Sequence, residues 1–298
     1  MLLSWTVVFA NEVEQHLRSQ YRGKILAARG FYSGEHLAYD SAGTLTGGGP
    51  AGDWTTDGFV QIDDVHLSGE HLKIKATRLM VVSQGQKGLQ FGGESAGKKH
   101  KKPKKAAVVE IDVATGSGDL TDAVADTLLS KVFLNAQDSF SDAVPIYWKR
   151  CIDDSLSGKS EECRFSSDMS TVPGVTTSSR ISGDPGDLQF STGSNATATG
   201  TAKLFKVGHG VKPPRATYQP EPSFSEPARR AKYQGVVTMS LIVDKDGLPQ
   251  KIRILSPLGA GLDAKAVEAV STWKFQPAEK DGEPVSVQIA VEVNFRLY

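Results

Sequence analysis

The closing stretch of the chain keeps a strict two-residue rhythm. Val285, Val287, Ile289, Val291, Val293, Phe295 and Leu297 are apolar, and Ser286, Gln288, Glu292, Asn294 and Arg296 between them are polar, with Ala290 the one neutral exception. That pattern specifies a long strand with one face buried and one wet. At ~1.5–3 kcal/mol per side chain, burying that apolar face contributes roughly 10–20 kcal/mol before entropy. No other stretch is so well specified.

Upstream, Ser225 to Tyr233 has the length and composition of a short helix. Val236 to Val243 reads as a strand, with Val237, Met239, Leu241 and Val243 on one face. Asp244-Lys245-Asp246-Gly247 is a hairpin turn in which Gly247 takes the left-handed position, and Ile252 and Ile254 continue the returning strand. A loop this short supplies too few oxygens for calcium. Gly259-Ala260-Gly261 ends that strand, and Asp263 caps a helix whose inner face is Leu262, Ala266, Val270 and Trp273. Phe275 packs beside Trp273, and Asp281-Gly282 turns into the closing strand. The expected architecture is α+β, with one helix covering a small antiparallel sheet.

The rest of the 298-residue chain divides by composition. Residues 11–165 read as a β-rich domain, a small antiparallel barrel or sandwich, with strands at Ile25–Ala27, Phe59–Ile62, Leu72–Lys75 and Val108–Val113 separated by Asp40-Ser41-Ala42-Gly43, Asp57-Gly58 and Ser68-Gly69 turns. A helix is expected near 120–134, with Leu120, Val124, Leu128 and Val132 inward and Asp119 as cap. Residues 166–213 are rich in Ser, Thr and Gly, as in a linker or irregular segment, and Pro213, Pro214, Pro220, Pro222 and Pro227 stiffen the approach to the last domain, 214–298. Residues 1–10 are apolar apart from Ser4 and Thr6, the pattern of the rear part of a signal peptide or anchor, or else of the buried first turn of a helix, and Glu12 to Tyr21 follows as a short amphipathic helix with Val13, Leu17 and Tyr21 on one face. No run of 18 apolar residues is present.

Lys plus Arg and Asp plus Glu each number 34, which removes any net-charge argument for a nucleic-acid partner. The basic run Lys98 to Lys105 carries no interleaved aromatics and reads as a solvated loop. Cys151 and Cys163 bracket a short polar loop and form a candidate disulfide in an oxidising compartment. Gly47, Gly49 and Gly52 have dinucleotide-fold spacing, but Pro50 intervenes and no helix is expected to follow; Gly92 to Lys98 approximates a phosphate loop, but Lys99 stands where Ser or Thr is needed. His66 and His71 are a poor metal pair. No nucleophile–base pair, carboxylate pair, metal spacing or cofactor motif points to an enzyme.

Several motifs then agree with one family. Pro227-Ala228-Arg229-Arg230, Gly235-Val236-Val237, Val243-Asp244-Lys245-Asp246-Gly247, Leu262-Asp263, Trp273-Lys274-Phe275-Gln276-Pro277-Ala278, Gly282-Glu283-Pro284-Val285 and Phe295-Arg296-Leu297 resemble the C-terminal domain of TonB-type energy transducers. The resemblance covers 214–298 and implies a periplasmic or cell-envelope protein. In that family the last strand pairs with a peptide segment of an outer-membrane receptor, and an anchor in the inner membrane engages motor proteins. Carried over, the pairing strand is Val285, Ser286, Val287, Gln288, Ile289, Ala290, Val291, Glu292 and Val293. The alternative is a periplasmic binding or scaffold protein that uses the same domain to form a homodimer.

Overall fold

The computed structural model describes residues 3–84, 88–92, 107–118, 120–144, 148, 164–167, 169–173, 175 and 204–297. Cys151, Cys163, the basic run 98–105, the phosphate-loop look-alike 92–98 beyond Gly92 and most of 166–203 lie outside the described residues. Those described form two compact units: residues up to 82 with 88–144 and 164–175, and residues 83–84 and 148 with 204–297.

In the first unit, helix α1 (Leu3–Tyr21) precedes strands β1 (Ile25–Ala27), β2 (His36–Tyr39) and β3 (Leu45–Gly47), the one-turn helix α2 (Trp54–Asp57), and strands β4 (Phe59–Ser68), β5 (His71–Ser83), β6 (Leu89–Gly92) and β7 (Val108–Ala114). Helices α3 (Asp122–Val132) and α4 (Phe140–Ala143) follow. The strands make one seven-stranded sheet in the order β1-β4-β5-β7-β2-β3, with β6 pairing β5 as a branch. It is a single mixed sheet, not the expected antiparallel barrel or sandwich, because β2 runs parallel to β7 from His36↔Glu110 to Tyr39↔Val113. The residues between β2 and β7 include the β4–β5 hairpin, so the chain returns to β2 from a distance and sets the direction of pairing by that crossover.

One face of the sheet is apolar. Val60, Ile62 and Val65 of β4, Leu72, Ile74 and Ala76 of β5, Val109, Ile111 and Val113 of β7, and Leu37 and Tyr39 of β2 are buried with Val13 and Leu17 of α1 and Ala125, Leu128, Leu129 and Val132 of α3. Strand β4 keeps its apolar side inward by a bulge: the register shifts between Ile62 and Asp64, so the inward series passes from Ile62 to Val65. From Leu3 onward the apolar opening and the amphipathic stretch are one continuous helix, α1. No helix among the described residues is long and apolar enough to cross a membrane. In α3 the cap is Thr121, whose hydroxyl accepts from the Val124 amide; Val124 itself is 41% exposed, because the inward face is centred on Ala125 and Leu129 instead.

A second core is aromatic. Trp54 meets Phe140 edge-on at 5.4 Å, and Phe59 lies 5.2 Å from Phe91 and 5.1 Å from Phe140. Contrary to expectation, a helix does follow the Gly47–Gly52 stretch, but α2 is a single turn, and its own Asp53 carboxylate accepts from the Thr55 amide at its N-terminus. Arg78 fixes this corner by pairing with Asp57 at 2.9 Å and donating to the carbonyls of Tyr32 and Gly34 at 2.8 and 2.9 Å. Burial raises the Asp53 and Asp57 carboxyls above their usual range.

The second unit begins with β8 (Val211–Lys212) and β9 (Arg215–Tyr218), then α5 (Glu226–Ala231), β10 (Gly235–Val243), β11 (Pro249–Ser256), α6 (Leu262–Ser271), β12 (Lys274–Gln276), β13 (Ala278–Lys280), β14 (Glu283–Val285) and β15 (Val287–Phe295). Its main sheet has the order β11-β10-β15, with β12 pairing β9 and β13 lying between β14 and β8 in smaller sheets. Val237, Met239, Leu241 and Val243 are buried with Leu262, Ala266 and Val270 of α6, as the periodicity dictates, and with Trp273, which lies two residues past the end of that helix. Two expectations are corrected. The helix cap position is Gly261, while the buried Asp263 carboxylate accepts from the Leu258 and Gly259 amides at 2.8 and 2.6 Å and ties down the loop before the helix. The closing stretch is not one strand: Val285 pairs with Ala278, Val287 with Val243, and Ser286 lies between the two sheets.

Two measurements test this account. Gly247 has φ 78°, and a Cβ there would collide with the Phe275 carbonyl, whose own amide donates to Gly247 O at 2.8 Å. Gly247→Ala is expected to lower unfolding free energy by about 1–3 kcal/mol in denaturant titration. In the first unit, burial pushes the Glu14 carboxyl up, but the Leu67 amide, His66 and Arg18 outweigh it and hold the group below its ordinary value. A carboxyl depressed in the folded state stabilises above its unfolded pKa, about 4.3, and that stability is lost as pH falls through the folded value. Glu14→Gln is expected to cost about 1–3 kcal/mol at pH 7, with the gap to wild type closing as thermal unfolding is followed to more acidic pH.

Candidate partner-binding edge

The nine residues of β10 pair with the nine of β15 without one register shift, from Gly235↔Phe295 to Val243↔Val287. Every side chain of β15 therefore has a fixed face. Val287, Val293 and Phe295 are buried, whereas Ile289 and Val291 on the same face are only half-buried. Helix α6 packs on β11 and β10, leaving the middle of β15 beside it partly uncovered. The opposite face of β15 carries the exposed Gln288, Ala290, Glu292 and Asn294. Phe295 is held by Phe224, edge-on at 5.4 Å, and the Leu297 amide donates to the Gln234 side chain at 2.8 Å, so the end of the strand is fixed.

The backbone settles which groups look outward. In an antiparallel strand the N–H and C=O of one residue point to the same edge, and successive residues alternate. The Phe205 amide donates to the Ser286 carbonyl at 2.9 Å and forms a parallel bridge with Val287, on the side away from β10. Ser286 therefore points outward, and by alternation so do the main-chain groups of Gln288, Ala290, Glu292 and Asn294. The odd-numbered residues point to β10. Beyond Phe205, no strand among the described residues covers this edge.

The two edges of the sheet are not equivalent. Strand β11 starts at Pro249, shifts register against β10 twice, and carries Lys251 at φ 48°. A proline, bulges and a lysine are the usual means of blunting an edge. Strand β15 has none of these. A long, regular, unblunted edge accepts an added strand through main-chain hydrogen bonds, with side-chain contacts giving specificity.

Among the expected pairing residues, Val287, Gln288, Ile289, Ala290, Val291, Glu292 and Val293 fall in β15, whereas Val285 is in β14 and Ser286 in neither. The structure also shows partners that periodicity did not identify. Strand β9 pairs with β12, and β8 with β13, where Lys212 meets Glu279 at 3.2 Å. The prolines at 213 and 214 that punctuate these short strands were the available signal. Elsewhere, the histidines read as a poor metal pair are each held by a carboxylate: His66 by Glu14 at 2.9 Å and His71 by Asp112 at 2.6 Å.

Comparison with known proteins bears on this unit. Residues 220–297 match the family model described as "Gram-negative bacterial TonB protein C-terminal". That stretch is a TonB-type C-terminal domain. Protein TonB of Vibrio cholerae is 34% identical over 87 residues, 29% of this chain and 36% of that protein. Protein tonB2 of Pseudomonas aeruginosa is 30% identical over 81 residues, 27% of this chain and 30% of that protein. The chain thus spans about a third of the length of these relatives. The solution NMR structure of the Pseudomonas aeruginosa TonB CTD aligns with a TM-score of 0.25 and 18% identity, covering 32% of this chain and 96% of that one.

The alternation makes a sharp forecast. Ala290→Pro removes an outward N–H and leaves the β10 ladder its donors, so the domain stays folded at a cost of about 1–2 kcal/mol. Val291→Pro removes a ladder donor and costs about 3 kcal/mol or more. Equal loss of melting temperature in the two variants contradicts the assigned edge.

Proposed function

We propose that this is a cell-envelope protein of the TonB type, serving TonB-dependent transport, whose C-terminal domain docks outer-membrane receptors from the periplasm by strand pairing. The single observation that carries this reading is the unblunted outer edge of β15 within a TonB-type domain. A receptor peptide adds as a further strand along that edge. Its main chain meets the outward groups of Ala290, Glu292 and Asn294, and its alternate side chains reach the half-buried Ile289 and Val291 beside α6. Main-chain pairing tolerates varied sequences, which suits a module that serves several receptors. Coupling to motor proteins of the inner membrane belongs to the same reading and gives the docked strand its source of force. Nothing in it calls for a cofactor, a catalytic residue or a nucleic acid.

The test is a titration of the isotopically labelled protein with a synthetic peptide from the periplasm-facing N-terminal segment of an outer-membrane receptor. Amide signals of residues 287–294 are expected to shift, and Ala290→Pro is expected to weaken binding at least tenfold without unfolding the domain. Unmoved amides across a panel of such peptides, together with concentration-dependent dimerisation that protects β15 from hydrogen exchange, would instead assign the edge to a second copy of the chain.

A further inference from the structure

The outer edge of β15 already carries one contact, and it comes from the chain itself. Phe205 makes the first rung of a parallel strand on Val287, through its amide and the Ser286 carbonyl. The contact is secured twice. Lys280 Nζ lies 5.0 Å from the centre of the Phe205 ring, close enough for a cation–π interaction. Downstream, Gly208 and Val211 exchange main-chain hydrogen bonds in a tight turn, and β8 then pairs with β13, whose Lys280 is opposite Val211. The segment 204–212 is therefore a hook, fastened by β8 and with its tip on the binding edge.

We infer that Phe205 is an internal competitor for the β15 edge: a segment of this chain that occupies the first pairing position and must be displaced by any partner strand extending past Gln288. The inference rests on the strand-pairing reading above and adds to it a built-in restraint. Three features of the geometry support it. The bond uses an outward carbonyl of the same edge that the partner needs. Phe205 adds in line with that edge, as a partner strand would. Among the described residues the pairing of this segment with β15 is confined to Phe205, shorter than the row of bonds a full partner strand makes. A full partner strand makes several such bonds and outcompetes it, while a short or poorly matched one does not. Phe205 in this way sets a competitive cost at the Gln288 end of the edge, while Ala290 to Asn294 stay open to a shorter strand.

The experiment uses the full chain and a probe peptide with no receptor sequence, Lys-Thr-Val-Thr-Val-Thr-Val-Lys, which recognises an edge through its main chain alone. Phe205→Pro lacks the donor N–H and is expected to bind the probe about threefold to tenfold more tightly than wild type, the worth of one hydrogen bond. Amides of Gln288 and Ala290 are expected to shift earlier in the titration. Phe205→Ala keeps the N–H but loses the ring under Lys280, and gives a smaller gain. This second variant reports even where the proline substitution disturbs the hook. Equal affinity in wild type and both variants overturns the competitor role and leaves strand pairing intact. Failure of every form to bind the probe along 287–294 overturns both.

Discussion

The second unit depends on the ladder between β10 and β15. Nine consecutive pairs without a slip do two things at once. They press Val237, Met239, Leu241 and Val243 against α6 as one apolar strip, and they leave the outer main-chain groups of β15 in an evenly spaced row. A one-residue slip would turn both faces of the strand over, exposing Val287, Val293 and Phe295. The buried strip therefore fixes the very register that makes the edge usable. On the proposed reading, stability and recognition share one constraint, and neither can drift without the other.

Much of this was written in the chain. Alternation in Val236–Val243 and again from Val287 onward predicts faces that the structure keeps, and the Asp244–Gly247 turn follows from its residue types alone. What periodicity could not reveal was non-local. The alternation runs unbroken through Ser286, so nothing in the pattern announces that Val285 belongs to a different sheet. Phe205 contacts β15 across some eighty residues of sequence, and no local preference encodes that pairing. In the first unit, the parallel match of β2 to β7 and the bulge at Asp63 have the same origin: both depend on where distant strands arrive. Asp263 departs from expectation for a simpler reason. An acid in a first helical turn resembles a cap, yet its oxygens reach back to Leu258 and Gly259 instead.

The two faces of the N-terminal sheet show how little surface chemistry need follow from fold. One face buries an apolar layer under α1 and α3. The other sets His66, Lys73 and Asp112 in one cross-strand row and Asp64, Lys75, Glu110 and His36 in the next, a mosaic of both signs lining an open cleft. Its carboxylates are spoken for locally: Asp64 by Arg18, Glu110 by His36 and Asp112 by His71. Such a face keeps the sheet soluble on its wet side without committing it to one charge.

The crossing at Ser286 has a mechanical consequence. One residue joins β14, held by β13, to β15, held by β10. There is no slack between them. Tension applied along β15 passes through the single residue Ser286 into the second sheet, and from β13 into β8 at Lys212. The domain is thus stitched in series, so a tug on its outermost strand is shared by two sheets before any one ladder has to open.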